Sequence, residues 1–157
     1  MKVLFLDIDG VLNSSNWYKN RPHKFLKDNP EESDWECELD PAAILVFKKL
    51  VHDVPDLQIV ISSTWRLNYE LSEFKRRFSQ MLSIEPSRVI DKTPRLNTIR
   101  GLEIQDWLSR NPQVTKFAII DDDSDMGDLM DNLFKTTWAE GIKMEHAKAI
   151  TDFFFEK

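Results

Sequence analysis

Two aspartates separated by a single residue, Asp7 and Asp9, follow the apolar run Val3-Leu4-Phe5-Leu6, and Gly10 comes directly after them. A second acidic cluster, Asp121-Asp122-Asp123, follows another apolar run, Phe117-Ala118-Ile119-Ile120. Carboxylates beside buried packing are unfavourable unless a counter-charge is close. Two such clusters at strand ends therefore point to a cation held between them. An aspartate is also a competent nucleophile toward phosphorus, because an acyl-phosphate splits one hard hydrolysis into two easier steps. Attack by an anion on a phosphate dianion needs charge compensation, which Mg²⁺ provides with its preference for oxygen ligands. Asp7 is the expected nucleophile, and Asp7 with one or both of Asp121 and Asp122 the expected Mg²⁺ ligands. Asp9 is the expected general acid and base, protonating the leaving alkoxide and then deprotonating the hydrolytic water. Gly10 permits the turn that brings backbone amides toward the phosphate.

Other residues offer phosphate contacts. Ser62-Ser63-Thr64 close the run Leu57–Ile61, and a hydroxyl with nearby amides holds a phosphoryl oxygen without a competing charge. Such a loop equally serves to cap the next helix. Arg66 follows closely and either reaches the site or sits on the surface. A cation is wanted opposite the transferred group. Arg100 is the best placed, with Lys92 and Arg95 as alternatives.

These residues need strand ends to carry them. The runs Lys2–Leu6, Leu57–Ile61 and Lys116–Ile120 are apolar throughout, which suits strands covered on both faces. Arg88–Ile90 and Leu133–Thr137 read as shorter strands, the latter at an edge. Asp40-Pro41 predicts a capped helix start. Further helices are expected from about Asn68 to Leu82, from Arg100 to before Pro112, and after Gly141 through Met144, Ala147, Ile150 and Phe154. The alternation predicts an α/β fold: a three-layer, Rossmann-like parallel sheet of about five strands. Ligands bind such sheets outside the carboxyl ends of the strands, where both acidic clusters fall.

Residues 13–39 break the alternation. They carry Trp17, Tyr18, Arg21, His23, Lys24, Phe25 and Trp35 without clear periodicity, and an excursion of that length is usually functional or locally structured. Leaving the first acidic cluster, it is expected to form a flap or small cap over the site. Its aromatics and cations suit either base stacking or packing of the flap onto the core.

Composition narrows the setting. At 157 residues the chain fits one domain. With 21 basic and 27 acidic residues the formal charge is −6, which argues against a broad footprint on an extended nucleic-acid duplex. Cys37 stands alone, so no internal disulfide forms. No stretch approaches the ~20 apolar residues of a membrane span, and a cytoplasmic setting is expected.

The chain resembles the haloacid dehalogenase (HAD) superfamily of aspartate-nucleophile phosphatases. Leu4-Phe5-Leu6-Asp7-Ile8-Asp9-Gly10-Val11-Leu12 matches its first motif, Val60-Ile61-Ser62 its second, and Phe117-Ala118-Ile119-Ile120-Asp121-Asp122 its fourth. The third departs from the usual lysine and reads Arg100-Gly101-Leu102-Glu103-Ile104; arginine carries the same charge on a wider fork. The resemblance implies a Rossmann-like core, Asp7 as nucleophile, Asp9 as general acid/base that also binds Mg²⁺ through its backbone carbonyl, and Ser62 on the phosphate. The strings Ser62-Ser63-Thr64-Trp65-Arg66 and Arg100-Gly101-x-Glu103-Ile104-x-x-Trp107-Leu108 are further similar to small HAD domains associated with nucleic-acid repair proteins.

The expected activity is Mg²⁺-dependent phosphomonoester hydrolysis, on a phosphorylated small molecule or a nucleic-acid end. Substrate contacts are expected from Ser62, Ser63, Arg66 and Arg100, and metal contacts from Asp7, Asp9, Asp121 and Asp122. The alternatives are a response-regulator-like module, with Asp91 imitating the phosphoacceptor, and a phosphotransferase on the same scaffold.

Overall fold

The computed structural model describes residues 1–26 and 35–157; residues 27–34 of the expected flap lie outside the described residues. Five parallel strands form one sheet: β1 (Lys2–Leu6), β2 (Leu57–Ile61), β3 (Val89–Lys92), β4 (Lys116–Asp121) and β5 (Leu133–Lys135), in the order β3-β2-β1-β4-β5. The strand order reverses between β1 and β4, the switch point where ligands of such sheets bind. Their register is continuous from Lys2↔Lys116 to Leu6↔Ile120. Asp7 and Asp121 therefore emerge side by side.

The fully buried strands owe their pattern to helices on both faces. Leu4, Leu6, Ile59, Ile61, Ala118 and Ile120 pack with α3 (Pro41–Asp53), α4 (Leu71–Leu82) and α6 (Met144–Phe155). Val3, Phe5, Val60 and Ile119 face the opposite way, onto Ile104 and Trp107 of α5 (Arg100–Ser109). Asp40 caps α3 through Ala42 N, with Pro41 at the first helical position.

Several element boundaries differ from expectation. The third strand begins at Val89, because Arg88 sits in a preceding turn and donates to the carbonyls of Val51, Val54 and Leu57 at 2.8–3.0 Å. The second long helix begins at Leu71 and not Asn68, since a 3₁₀ turn over Thr64–Leu67 intervenes. The fifth strand ends at Lys135, and Thr136 turns inward to donate from Oγ1 to Gly10 O at 2.5 Å.

Within the 13–39 segment the structure has α1 (Ser15–Asn20), a 3₁₀ turn (His23–Phe25) and α2 (Trp35–Glu38). Trp35 is an anchor and not a surface aromatic: it is 1% exposed and packs on Trp65, Tyr69, Phe74 and Phe78 at 5.2–5.7 Å. That burial joins the end of the insertion to α4. Its Nε1 finds no acceptor among the described residues, so phenylalanine keeps the packing without an unpaired donor. Trp35→Ala should lower the unfolding free energy by about 3–5 kcal/mol, and Trp35→Phe by much less, measured by denaturant titration.

Candidate active site

A cavity of about 200 Å³ opens at the carboxyl end of the sheet. Its walls are Asp7 and Asp9 after β1, Thr64 after β2, Arg100 at the start of α5, and Asp121, Asp122, Asp123 and Asp125 from the end of β4. Oxygens of Asp7, Asp121 and Asp122 all lie within 4.8 Å of one another. Gly10 makes this crowding possible: its φ is +81°, and a Cβ there would overlap the Asp122 carboxylate.

Such crowding leaves negative charge uncompensated. Burial, and then the Asp121 charge, push the Asp7 carboxyl up to about 9, although Arg100 opposes the shift. Burial lifts Asp121 to about 6, against the pull of the Asp123 amide and Arg100. Three hard oxygen donors in one place, holding a proton even beside Arg100, fit a divalent cation such as Mg²⁺.

Arg100 is the cation brought to this cavity. Its Nη1 donates to Ser62 O, and its backbone N donates to Asp125 Oδ2 at 3.2 Å. Gly101 N donates to Asp125 O at 3.0 Å, so Asp125 caps α5 from another loop. A Cβ at Gly101 would strike the Met126 backbone, which is why glycine follows Arg100. Lys92 and Arg95 lie elsewhere. Lys92 Nζ donates to Arg66 O and Tyr69 O at 2.9 and 3.1 Å, while exposed Arg95 pairs with Asn97.

Arg66 does not line the cavity. It is 5% exposed and donates from Nη2 to both Glu103 oxygens at 3.0 Å. Its remaining bonds go to the carbonyls of Ser63, Thr93 and Pro94. Burial lowers its pKa, and the Glu103 carboxylate works against that shift. Ser63 Oγ accepts from Trp65 N at 3.2 Å, a turn cap. Ser62 is fully buried, and its Oγ has no partner among the described residues.

Asp9 has a shell that sequence reasoning missed. Its Oδ1 accepts from Asn13 Nδ2 at 2.9 Å and from Trp65 Nε1 at 3.1 Å. Asn13 also accepts from Gly10 N and donates to the Tyr18 hydroxyl, each at 2.9 Å. Tyr18 donates in turn to Glu38 at 2.9 Å; burial and that carboxylate push its pKa up, so it stays a donor. An asparagine one turn beyond an Asp-x-Asp-Gly string was the only available cue.

Residues 3–147 match the family described as "HAD domain in Swiss Army Knife RNA repair proteins". The chain belongs to this family. The match covers both acidic strand ends and the third-motif helix, and it ties this HAD domain to RNA repair. Comparison with curated proteins and with solved structures gave no match. Among the described residues, no helix is long and apolar enough to cross a membrane.

The raised carboxyls carry a stability consequence for the metal-free HAD domain. Folded Asp7 holds its proton more tightly than the unfolded chain does, so its contribution is full below about pH 4 and is lost as pH rises toward 9. In EDTA at pH 8, Asp7→Asn should raise the melting temperature. Mg²⁺ should raise that of the wild type and shift the variant far less, as followed by thermal unfolding.

Proposed function

We propose that this domain is a Mg²⁺-dependent phosphomonoesterase that works through an aspartyl-phosphate on Asp7 and acts on a terminal phosphate of a nucleic-acid strand. The carrying observation is the convergence of Asp7, Asp121 and Asp122 within 4.8 Å at the switch point of the sheet, with Arg100 in the same cavity. The family's tie to RNA repair supports the choice of substrate.

Mg²⁺ held by Asp7, Asp121 and Asp122, and by the Asp9 carbonyl that the family resemblance implies, would supply charge compensation for phosphoryl transfer. Asp7 attacks phosphorus: an Asp7 oxygen–phosphorus bond forms, the ester bond breaks, and the leaving oxygen takes a proton from Asp9. Water then attacks the same phosphorus while Asp9 accepts its proton, releasing phosphate and restoring Asp7. Arg100 balances the transferred group, and the unpartnered Ser62 hydroxyl serves a phosphoryl oxygen. Ser63 and Arg66 act one step back, as the cap and the brace of the Ser62 loop. Asp9 offers Oδ2 to the leaving oxygen, because Asn13 and Trp65 both occupy Oδ1. In this reading residues 1–157 act as one catalytic domain, in which segment 13–39 supplies Asn13 and Tyr18 to the network around Asp9.

The phosphoacceptor alternative finds no support around Asp91. Its carboxylate accepts from Trp107 Nε1 at 2.7 Å and from Lys92 N at 2.8 Å, apart from the acidic cavity.

The defining assay is phosphate release from 3′- and 5′-phosphorylated oligonucleotides, nucleotides and sugar phosphates, with Mg²⁺ and with EDTA. Turnover should need Mg²⁺ and vanish in Asp7→Asn; activity surviving that substitution would remove Asp7 as nucleophile. Trp65→Phe should lower kcat/KM about tenfold more on an alkyl phosphate, whose leaving oxygen needs a proton, than on a nitrophenyl phosphate. An equal loss on both would show that Trp65 does not position the acid.

A further inference from the structure

We infer that Trp138 is the platform on which the terminal base of a phosphorylated strand stacks while its phosphate occupies the acidic cavity. The inference rests on the phosphatase reading and specifies how its substrate is recognised.

The argument begins with where the leaving group goes. A proton donor must adjoin the leaving oxygen, and the nucleoside is bonded to that oxygen. The nucleoside therefore emerges on the side of Asp9. The other oxygen of that carboxylate, Oδ1, is bonded to Asn13, and Asn13 to the Tyr18 hydroxyl, at 2.9 Å each. The ring of Tyr18 lies 6.0 Å from that of Trp138, at an interplanar angle of 38°. Only two side chains separate the Trp138 ring from the proposed acid.

The backbone that carries this ring is held in place. Thr136 N donates to Asp121 O at 3.0 Å and its Oγ1 to Gly10 O, so the segment leading to Trp138 is tied to both acidic strand ends. Trp138 O accepts from Ser15 N at 2.8 Å and Ala139 O from Asn16 N at 3.2 Å. An aromatic side chain on a fixed backbone has few rotatable bonds and loses little conformational entropy when a ligand lands on it.

The indole nevertheless stays 47% exposed. The other four tryptophans have structural occupations. Trp35 and Trp107 are 1% exposed, Trp65 donates to Asp9, and Trp17 packs edge-on against Phe25 and donates to Cys37 O. Charge also favours stacking as the source of affinity. Asp123 and Asp125 in the cavity wall and a net charge of −6 repel a phosphodiester backbone, so a strand gains little by electrostatic contact. One base on one ring, next to the terminal phosphate, supplies attraction that an acidic surface cannot, and it tolerates any base because every base has a π-face.

The test compares 3′- and 5′-phosphorylated oligonucleotides carrying a terminal base with the same strands ending in an abasic residue, using wild type, Trp138→Ala and Trp138→Phe. In Trp138→Ala, KM for the strand with a terminal base should rise about tenfold, with kcat little changed. The KM ratio between abasic and base-bearing strands should fall toward one, and Trp138→Phe should restore most of it. In parallel, the Asp7→Asn protein should show tryptophan fluorescence quenching by the base-bearing strand, lost when Trp138→Phe is added. Equal KM changes for both strands, or none, would overturn the platform. If no phosphomonoester is hydrolysed yet Trp138-dependent quenching persists, the phosphatase reading falls and the platform stands. If sugar phosphates are hydrolysed and no strand binds, the reverse holds.

Discussion

Mutual repulsion of three carboxylates is the constraint around which this domain is organised. The in-register pairing of β1 with β4 forces Asp7 and Asp121 together, and Asp122 closes the group. Nothing apolar can relieve that repulsion. The surroundings answer it locally: Arg100 is brought to the cavity, Asp123 N donates to Asp121 Oδ1 at 2.9 Å, and Gly10 gives up a side chain to make room. Much of what looks idiosyncratic near the sheet's carboxyl end follows from this one requirement. It includes Asp125 capping α5 from a neighbouring loop, which fixes the residue that carries the counter-charge.

A second charge pair transmits that organisation. Arg66 and Glu103 form a buried bridge whose side chains are 4% and 6% exposed. Buried pairs seldom add net stability over apolar packing, while loss of one partner is severe. What this pair provides is position. Arg66 belongs to the turn after Ser62 and Glu103 to the first turn of α5, so the bridge clamps the loop with the free hydroxyl to the helix that presents Arg100. Glu103 also accepts from Leu96 N at 2.8 Å, which fastens the loop entering α5. The arginine nearest the serine in sequence therefore serves the site from behind it.

The strands and the acidic cavity were readable from residue order because both are local signals. An apolar run closed by aspartates states its burial and its end at once. The shell around Asp9 was not readable in this way. Asn13, Trp65 and Tyr18 come from three elements, and their convergence depends on how the 10–20 segment curls back over β1. Trp35 was left between base stacking and packing onto the core for a related reason: the neighbours that decide for packing, Phe74 and Phe78, belong to a distant helix. Arg66 and Ser63 sat where a phosphate contact was expected, but hydrogen bonds made after the chain folds took up both.

Acidity and a nucleic-acid substrate are compatible once the contact is small. Proteins that track a strand neutralise many phosphates, and their affinity falls steeply with salt. On the proposed reading, a domain that handles one terminal phosphate needs charge compensation only inside its cavity, where Arg100 lies and where Asp7, Asp121 and Asp122 would hold a divalent cation. Outside, negative charge disfavours internal phosphodiesters and leaves an end, with fewer neighbouring phosphates, as the least repelled part of the chain. On the same reading, the exposed Trp138 adds attraction without charge. On the proposed reading, the acidic wall of the cavity that weakens binding to long nucleic acid therefore favours termini.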